Sequence, residues 1–496
     1  MALVVLFGTA ANGLAISGAE ARQLDRDLLK QVEASVSKRD ANTAEMPKYI
    51  FYMIGDGMGQ SHRQLAEYYL QYKNEDDGLV LAMNDMPITA NITTHNTNTL
   101  VTDSAAAGTA LATGVKTKTG KIGFNEDGSV KYRTIAEALQ EDRDMAIGLI
   151  TTVSVTHATP AAFGAHVMDR NDEVSVADQY LAREWDFIAG GGYRYFAEKD
   201  EDGNREAGDS LLDDFEKAGY DVDTSLGDFE KTDFSAVDKY LGIYESKYLT
   251  EVITQKYDKK VSPELSEMVE AGIEVLSKNE NGFFMMVEGG YIDGASHNND
   301  TPTTLYEMLA FEESVQVAVN FYKEHPEDTL IIVGADHETG GLSLGYNSYA
   351  INFNRLDGIH VAYEKAIDVH LQKGDEDAYF AAMEEYYGVK VSEEERKTIL
   401  ANIEAFDLLA LLADAGVTDP AKIEMYESMR HMLGISGHCS AHLLAEQTKI
   451  GWSTQAHTGE PVPFTFMGKG SETFAACHDN IDIPIALAEL AGVNIG

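Results

Sequence analysis

Five short segments of the chain combine carboxylate, hydroxyl or imidazole groups with glycines, and several of them directly follow an apolar run. They are residues 54–59, 102–108, 288–297, 336–341 and 455–459. Together they supply ligands for two neighbouring transition-metal ions and one hard cation, and they include a serine that could act as a nucleophile. This combination indicates metal-assisted phosphoryl transfer.

The aspartates and histidines of three segments have spacings that suit zinc. Asp293 and His297 lie four residues apart, about one turn of a helix, so one metal ion could bind both. Asp336 and His337 are adjacent just past an apolar run, where both can reach neighbouring metals, and His457 would complete the first site. Mixed aspartate and histidine ligation is typical of Zn²⁺.

Oxygen donors indicate a second kind of cation. Asp56, Glu288 and the hydroxyl of Thr159 form a set that suits Mg²⁺, which prefers oxygen ligands and retains waters. Asp103 and Ser104 precede a run of small residues, which indicates a helix that begins at the serine. The unpaired N–H groups there would favour a phosphate and a serine alkoxide, although a simple N-cap is the alternative interpretation.

The elements that must position these residues are predicted to alternate between strands and helices. The strands are predicted at residues 49–54, 146–151, 283–287 and 330–333, and two of the helices at 134–140 and 263–276. This order predicts an α/β fold in which helices sandwich a central, mostly parallel sheet. Because ligands bind beyond the carboxyl ends of such strands, the positions of Asp56, Glu288 and Asp336 support the site.

The chain divides into four predicted parts. Residues 1–21 resemble a secretory signal peptide that ends in a small-x-small motif, with an ordinary buried helix as the alternative. Residues 22–46 form an N-terminal arm, and residues 47–345 and 451–496 form the catalytic domain. Residues 346–450 are a mostly helical insertion that we expect to build a cap, a crown or an interface lobe. No other apolar run is long enough to span a bilayer, so we expect a soluble, periplasmic or secreted protein.

The charge of the chain is strongly negative. There are 82 acidic residues against 38 basic ones, a formal net charge of −44. Nucleic acids and anionic membranes are therefore poor partners, because both need a basic surface. The acidic excess is spread along the chain, which indicates adaptation to high salt, although a merely soluble acidic protein is the alternative.

Three further patterns leave alternatives open. Cys439 and Cys477 could form a disulfide or remain free. His438, Cys439 and His442 have a spacing that could bind a soft metal, with only His431 nearby as a fourth ligand. Residues 200–204 resemble a calcium loop, but their glycine is misplaced for an EF-hand, so we interpret them as a solvated turn.

Six motifs in one order give the chain a strong resemblance to the alkaline phosphatase family. The resemblance covers most of residues 47–345 and the tail from about residue 450. The motifs are Gly55-Asp56-Gly57-Met58-Gly59, Asp103-Ser104-Ala105-Ala106-Ala107, Thr156-His157-Ala158-Thr159-Pro160, Glu288-x4-Asp293-x3-His297, Asp336-His337 and His457-Thr458-Gly459. Each motif is weak alone, but the ordered set is highly specific.

The resemblance implies a role for each site residue. Ser104 is implied as the nucleophile that forms a phosphoserine, and Arg170 as the arginine that holds two phosphate oxygens. The implied ligands are Asp293, His297 and His457 for the first zinc, Asp56, Asp336 and His337 for the second zinc, and Asp56, Thr159 and Glu288 for magnesium. The resemblance also implies small phosphate monoesters as substrates, inorganic phosphate as a product, and a homodimer.

Two positions depart from the best-known bacterial pattern. His157 stands where some family members have aspartate, and Gly294 follows Asp293 where some have a basic or aromatic residue. His157 could contact the phosphate network or a water on the magnesium, so these departures affect the expected phosphate affinity and metal selectivity.

We expect a non-specific phosphate monoester hydrolase with an alkaline pH optimum, because metal-bound water ionises at about pH 7–9. The alternative enzyme is a phosphodiesterase, a sulfatase or a phosphomutase on a related scaffold. The alternative outside catalysis is a protein that only binds phosphate or metal.

Overall fold

The computed structural model of the chain describes residues 46–198, 203–205, 209–405 and 435–496. The predicted signal peptide, nearly all of the predicted arm, and residues 200–202 of the predicted turn lie outside this part of the chain. Within it, no helix is both long and apolar enough to cross a membrane.

Nine of the described strands form one central sheet. The strands are β1 Tyr49–Gly55, β2 Ile88–Ile92, β3 Ala146–Ser154, β4 Phe187–Gly191, β5 Asp221–Asp223, β6 Tyr240–Ile243, β7 Phe283–Gly289, β8 Thr329–Gly334, β9 Glu338–Thr339, β10 Leu342–Leu344, β11 Ile450–Trp452, β12 His457–Thr458 and β13 Val462–Gly468. The order across the central sheet is β2-β13-β8-β1-β7-β3-β4-β6-β5. Strand β13 is antiparallel to β2 and β8, and every other pair is parallel. The predicted mostly parallel α/β sheet is confirmed.

Helices flank this sheet. The described α-helices are α1 Gln60–Asn74, α2 Ser104–Thr113, α3 Ile135–Arg143, α4 Ala158–Gly164, α5 Glu173–Arg183, α6 Leu211–Lys217, α7 Leu226–Phe229, α8 Val252–Tyr257, α9 Leu265–Leu276, α10 Tyr291–His297, α11 Thr301–Glu324, α12 Val369–Gln372, α13 Glu376–Tyr387, α14 Glu393–Ala405, α15 Ile435–Thr448 and α16 Asp482–Ala491. Helix α9 packs on β3, β4 and β7, and helix α11 packs on β1, β7 and β8.

The central strands are buried along their whole length, and polar residues follow where they end. Every residue of β1, β3, β7 and β8 is buried, as their near-continuous apolar sequences predict for strands covered on both faces. Asp56 comes directly after β1, Glu288 is the penultimate residue of β7, and Asp336 follows β8 by two residues. Parallel pairing places these ends side by side: Ile54 pairs with Glu288 on one side and with Gly334 on the other.

The reversed strand β13 explains how a distant histidine reaches the same edge. Because β13 is antiparallel to β8, the beginning of β13 lies at the end of the sheet where β8 finishes. His457, five residues before β13, therefore lies near His337, and β12 pairs with β9 in a short antiparallel ribbon. Buried Arg63 stabilises the reversal by donating to the carbonyl oxygens of Val333 and Pro463, both at 3.1 Å.

The described part of the segment 346–450 packs against the catalytic region. Strands β10 and β11 pair on either side of this segment and join its two ends. The carboxylate of Asp300, which caps α11, accepts hydrogen bonds from the Tyr363 backbone N–H at 2.8 Å and the Tyr387 hydroxyl at 2.9 Å. Lys365 forms an ion pair with Glu251 at 2.6 Å. That the segment 346–450 forms a crown or a dimer contact stays a prediction.

Candidate active site

Ser104 begins helix α2 at the edge of the sheet. The carboxylate of Asp103 caps this helix by accepting from the Ala106 N–H at 3.1 Å, so the helix N-terminus is fixed beside the serine. The small side chains of α2 allow close packing on α4: a Cβ added at Gly108 would lie 3.0 Å from the Cβ of Ala162. Ser104 itself is only 2% exposed, and its Oγ lies 3.2 Å from Nε2 of His337.

Asp56, Asp336 and His337 surround a point next to this hydroxyl. Nε2 of His337 lies 3.4 Å from Oδ1 of Asp56 and 3.2 Å from Oδ2 of Asp336. Both carboxylates are fully buried, and these two oxygens have no hydrogen-bond donor. Burial and the neighbouring carboxylate of Asp293 raise the pKa of Asp336 to about 7. Buried, unpartnered carboxylate oxygens are stabilised by a cation, so this group fits a metal ion.

Asp293, His297 and His457 form a second group beside the first. Nε2 of His297 lies 3.3 Å from Oδ2 of Asp293 and 3.1 Å from Nε2 of His457, which is 3.6 Å from Oδ1 of Asp293. The rings of His337 and His457 stack with their centroids 3.6 Å apart. Asp293, His337 and His457 also offer ligand atoms within 4.8 Å of one another, so the two groups adjoin.

The hydrogen bonds at the other nitrogen of each histidine ring determine which nitrogen is available to a metal ion. Nδ1 of His297 lies 2.5 Å from the carbonyl oxygen of Gln455, and Nδ1 of His457 lies 2.8 Å from that of Thr102. A carbonyl only accepts, so both Nδ1 atoms carry the proton and both Nε2 atoms keep a free lone pair. The Thr339 hydroxyl donates to Asp293 at 2.5 Å and accepts from Nδ1 of His337 at 3.2 Å, so His337 offers Nε2 as well.

A third group contains oxygen donors. Asp56, His157 and Glu288 each offer a ligand atom within 4.8 Å of the other two. The hydroxyl of Thr159 donates to Oδ2 of Asp56 at 3.2 Å, and the hydroxyl of Thr151 donates to Oε2 of Glu288 at 2.5 Å. Oε1 of Glu288 is buried without a donor, and burial raises the pKa of this carboxyl to about 8. Asp56 belongs to this group and to the first one, so it can bridge two cations.

Arg170 connects the nucleophile to the third group. Its guanidinium donates to Oδ2 of Asp103 at 3.2 Å and to Nε2 of His157 at 3.1 Å. Asp103 also accepts from the N–H of Gly120 at 3.0 Å, so one carboxylate caps the helix of Ser104 and orients the arginine. Since a guanidinium only donates, Nδ1 of His157 carries the ring proton, and this atom is buried without a partner.

Two supporting residues, Glu338 and His62, were not predicted from the sequence. Glu338 accepts from the hydroxyl of Thr458 at 2.5 Å and from the N–H groups of Gly341 and Leu342 at 3.2 Å, which joins the segments of His337 and His457. It lies inside a motif already singled out, so its position was a usable signal.

His62 was given no role from the sequence, and no spacing marks it. Its Nδ1 accepts from the N–H of Gly59 at 3.2 Å, so Nε2 donates to Oγ of Ser296 at 3.1 Å. Ser296 lies on α10 beside His297, and His62 therefore supports the helix that carries the second group.

The structure brings all the predicted site residues to one edge of the sheet and leaves the other patterns elsewhere. His442 contacts Tyr346, whose hydroxyl lies 3.3 Å from Nδ1 of that ring. The side chains of His438 and Cys439 lie outside the described residues, and so does His431. Cys477 is a free, half-buried thiol.

The fold and this edge define a class of protein: an α/β protein whose sheet edge gathers carboxylates and histidines in groups that can hold metal ions. The family model described as "Alkaline phosphatase" matches residues 47–493. The chain therefore belongs to the alkaline phosphatase family, and it is a metal-dependent enzyme of that family that hydrolyses phosphate monoesters. The resemblance stated from the motifs is confirmed.

Relatives support this membership over nearly the whole chain. "Alkaline phosphatase 3" of Bacillus subtilis (strain 168) is 32% identical over 459 residues, 91% of this chain and 90% of that protein. The crystal structure of a cold-active alkaline phosphatase from Shewanella sp. is 28% identical, with a TM-score of 0.71 over 89% of this chain and 99% of that one. The Thermus thermophilus alkaline phosphatase is 25% identical, with a TM-score of 0.75 over 92% and 95%.

Proposed function

We propose that the protein is a non-specific phosphate monoester hydrolase that forms a phosphoserine on Ser104. The observation that carries this proposal is the position of the Ser104 hydroxyl. It lies at a helix N-terminus, 3.2 Å from a metal-binding imidazole nitrogen and beside buried carboxylate oxygens without donors. A helix N-terminus favours a phosphate dianion, and Arg170 lies within reach of the same carboxylate that caps this helix.

The donor sets support two zinc ions and one magnesium ion. Asp293, His297 and His457 would hold the first zinc, and Asp56, Asp336 and His337 the second. Asp56, Glu288 and Thr159 would hold magnesium, which prefers oxygen donors. When bound, the cations supply Lewis-acid stabilisation of charge on the nucleophile and the leaving oxygen, and they activate water at alkaline pH.

The residues of the chain perform the positioning. Ser104 attacks phosphorus in line with the departing alcohol, and Arg170 donates to the non-bridging oxygens, where charge develops in the transition state. Asp103 accepts from both Arg170 and the N-terminus of helix α2, and so fixes the position of the arginine relative to Ser104. His157 accepts from Arg170, lies beside the carboxylates of Asp56 and Glu288, and has a buried Nδ1–H without a partner, which supports a role in binding a magnesium-bound water.

Hydrolysis of p-nitrophenyl phosphate from neutral to strongly alkaline pH tests the proposal. Wild type and Ser104→Ala are compared after EDTA treatment and after Zn²⁺ and Mg²⁺ are restored, with Ser129→Ala in an exposed turn as the control. We expect alkaline activity that EDTA abolishes, that the metals restore, and that only Ser104→Ala lacks while it still binds zinc. Metal-loaded wild type that cleaves a diester or a sulfate ester but not this monoester would contradict the proposal.

Three finer features are proposed from the sequence. We expect export through residues 1–21, which N-terminal sequencing of the mature protein would test. Homodimerisation is tested by sedimentation, where the mass of one chain at every salt concentration would refute it. Adaptation to high salt is supported by the net charge of −44, since salt screens self-repulsion, and unchanged stability between low and molar NaCl would refute it.

A further inference from the structure

Residues 245–249 form a wall beside Arg170 that the mechanism does not use. The N–H groups of Gly192 and Tyr193 each donate to the carbonyl oxygen of Glu245 at 2.9 Å. The N–H of Leu249 donates to the carbonyl of Thr152, within β3, at 3.0 Å. The wall is thus fixed to the same edge of the sheet that carries the active site.

Tyr248 connects this wall to the phosphate-binding residues. Its ring meets the His157 ring edge-on, with the centroids 6.0 Å apart, and lies 6.1 Å from the ring of Tyr291. His157 in turn accepts from Arg170. The ammonium of Lys247 lies 4.6 Å from the centroid of the same Tyr248 ring. Lys247 is therefore one aromatic ring away from the pair formed by His157 and Arg170.

Lys247 is a half-buried cation without an ion pair. Among the described residues, no carboxylate oxygen lies within 4.0 Å of its ammonium. The two carboxylates whose charges act on Lys247 already bind hydroxyl groups: Glu173 accepts from Thr156 at 2.7 Å, and Glu364 accepts from Tyr291 at 3.2 Å. Burial lowers the pKa of Lys247, and the charges of Arg194 and Arg170 lower it further against the opposing effect of Glu173 and Glu364.

Arg194 supplies a second cation next to the wall of residues 245–249. The backbone N–H of Arg194 donates to the carbonyl oxygen of Ser246 at 3.2 Å, and Ser246 directly precedes Lys247. Nε of Arg194 is buried and has no acceptor among the described residues. In a chain with 82 acidic and 38 basic residues, two neighbouring cations that have no carboxylate partner within the described ranges indicate a place for an anion from the substrate.

The position that follows Asp293 on helix α10 carries no charged side chain. Gly294 follows Asp293 and has no side chain, and a Cβ added there would lie 3.0 Å from the ring of Tyr291. The ring of Tyr291 thus occupies this space, and position 294 offers no side chain that could bind a second anion.

We propose that Lys247 and Arg194 form a subsite for a second anionic group of the substrate. The preferred substrates are then phosphate monoesters that also carry a carboxylate or a second phosphate. This inference rests on the proposed hydrolysis of phosphate monoesters and adds a substrate class to it. Tyr248 separates the subsite from Arg170, so the second anion lies outside the site of phosphoryl transfer.

The test compares matched substrates. Glycerol 3-phosphate and 3-phosphoglycerate differ by one carboxylate, and glucose 6-phosphate and glucose 1,6-bisphosphate differ by one phosphate. We expect Lys247→Met to lower kcat/KM roughly five- to tenfold for the member with the additional anion and to change it little for the other, as expected for one lost charge contact. Lys247→Arg should restore the preference. Lys231→Met, at an exposed lysine paired with Asp228, is the charge-matched control.

Each outcome decides the proposal. A loss in both pairs supports the subsite, and a loss in one pair supports it and identifies the anion. Equal losses for all four substrates would show that Lys247 acts on the transferred phosphate itself and would overturn the subsite, as would no loss at all. Metal-loaded wild type that hydrolyses none of the four substrates would reject the proposed function and the subsite with it.

Discussion

Glu338 is expected to control metal binding although it is not a metal ligand. Its carboxylate, 3% exposed, accepts from the hydroxyl of Thr458 and from two backbone N–H groups. Thr458 follows His457, and Glu338 follows His337, so one carboxylate joins the segments that carry these two stacked rings. We predict that Glu338→Ala separates the two histidines and weakens both proposed zinc sites.

The size of the effect follows from the contacts. Each hydrogen bond to a charged acceptor contributes about 1.5–3 kcal/mol, and the alanine would leave three donors without it. Because neighbouring contacts do not add fully, we expect the free energy of unfolding of the metal-free protein to fall by roughly 3–5 kcal/mol. Loss of a residue that orients metal ligands typically lowers metal affinity about 10- to 100-fold.

Competition with a zinc-binding dye measures the affinity, and thermal unfolding without metal measures the stability. Glu460→Ala removes the same charge from an exposed position two residues after Thr458 and should leave both quantities unchanged. Glu338→Gln keeps one carbonyl acceptor and should fall between wild type and alanine. If Glu338→Ala bound zinc as tightly as wild type, the contact between the two segments would not determine the histidine geometry.

Two further changes test groups outside the catalytic set. Burial raises the pKa of Glu307 to about 8 from 4.5, so its stabilising proton is lost as pH rises through about 8. The side chain of Glu307→Gln can still accept from the Val252 N–H. Between about pH 6 and pH 9, this variant should lose less unfolding free energy than wild type, by roughly 1–3 kcal/mol in denaturant unfolding. Equal losses of unfolding free energy in the two proteins would refute this. His62→Ala leaves the Ser296 hydroxyl without its donor, and we expect zinc affinity to fall about tenfold. If the variant bound zinc as tightly as wild type in the dye assay, His62 would not support the metal ligands.

The parts of the site that the sequence predicts are those tied to strand ends. Asp56, Glu288 and Asp336 each end a compact apolar run, and parallel pairing brings such ends together by rule. His457 is different, because its position depends on the reversed strand β13, and no local pattern specifies that reversal. The imidazole and glycine of its motif marked His457 as a candidate ligand, but no periodicity placed it at this edge of the sheet.

Supporting residues were missed for a related reason. The role of His62 depends on which side chain faces it across the core, and its sequence neighbours carry no mark of Ser296 more than two hundred residues away. Glu338 was visible inside a motif, but its acceptor role arises only when the segment of His457 returns to it. Contacts of this kind are set by tertiary packing, which a single sequence does not encode at any fixed spacing.

An acidic protein that binds a negatively charged phosphate ester needs positive charge at the sheet edge where the substrate is proposed to bind. Asp56, Glu288, Asp293 and Asp336 bring four carboxyl groups together, and burial and mutual repulsion raise the pKa of Asp56, Glu288 and Asp336 when no cation is bound. With two zinc ions and one magnesium ion in the proposed sites, the positive charge exceeds that of these carboxylates, and Arg170 adds to it. If the proposed sites are filled, phosphate binding and metal occupancy are coupled, because the same cations would supply the chemistry and the positive charge that an acidic protein needs to bind a dianion.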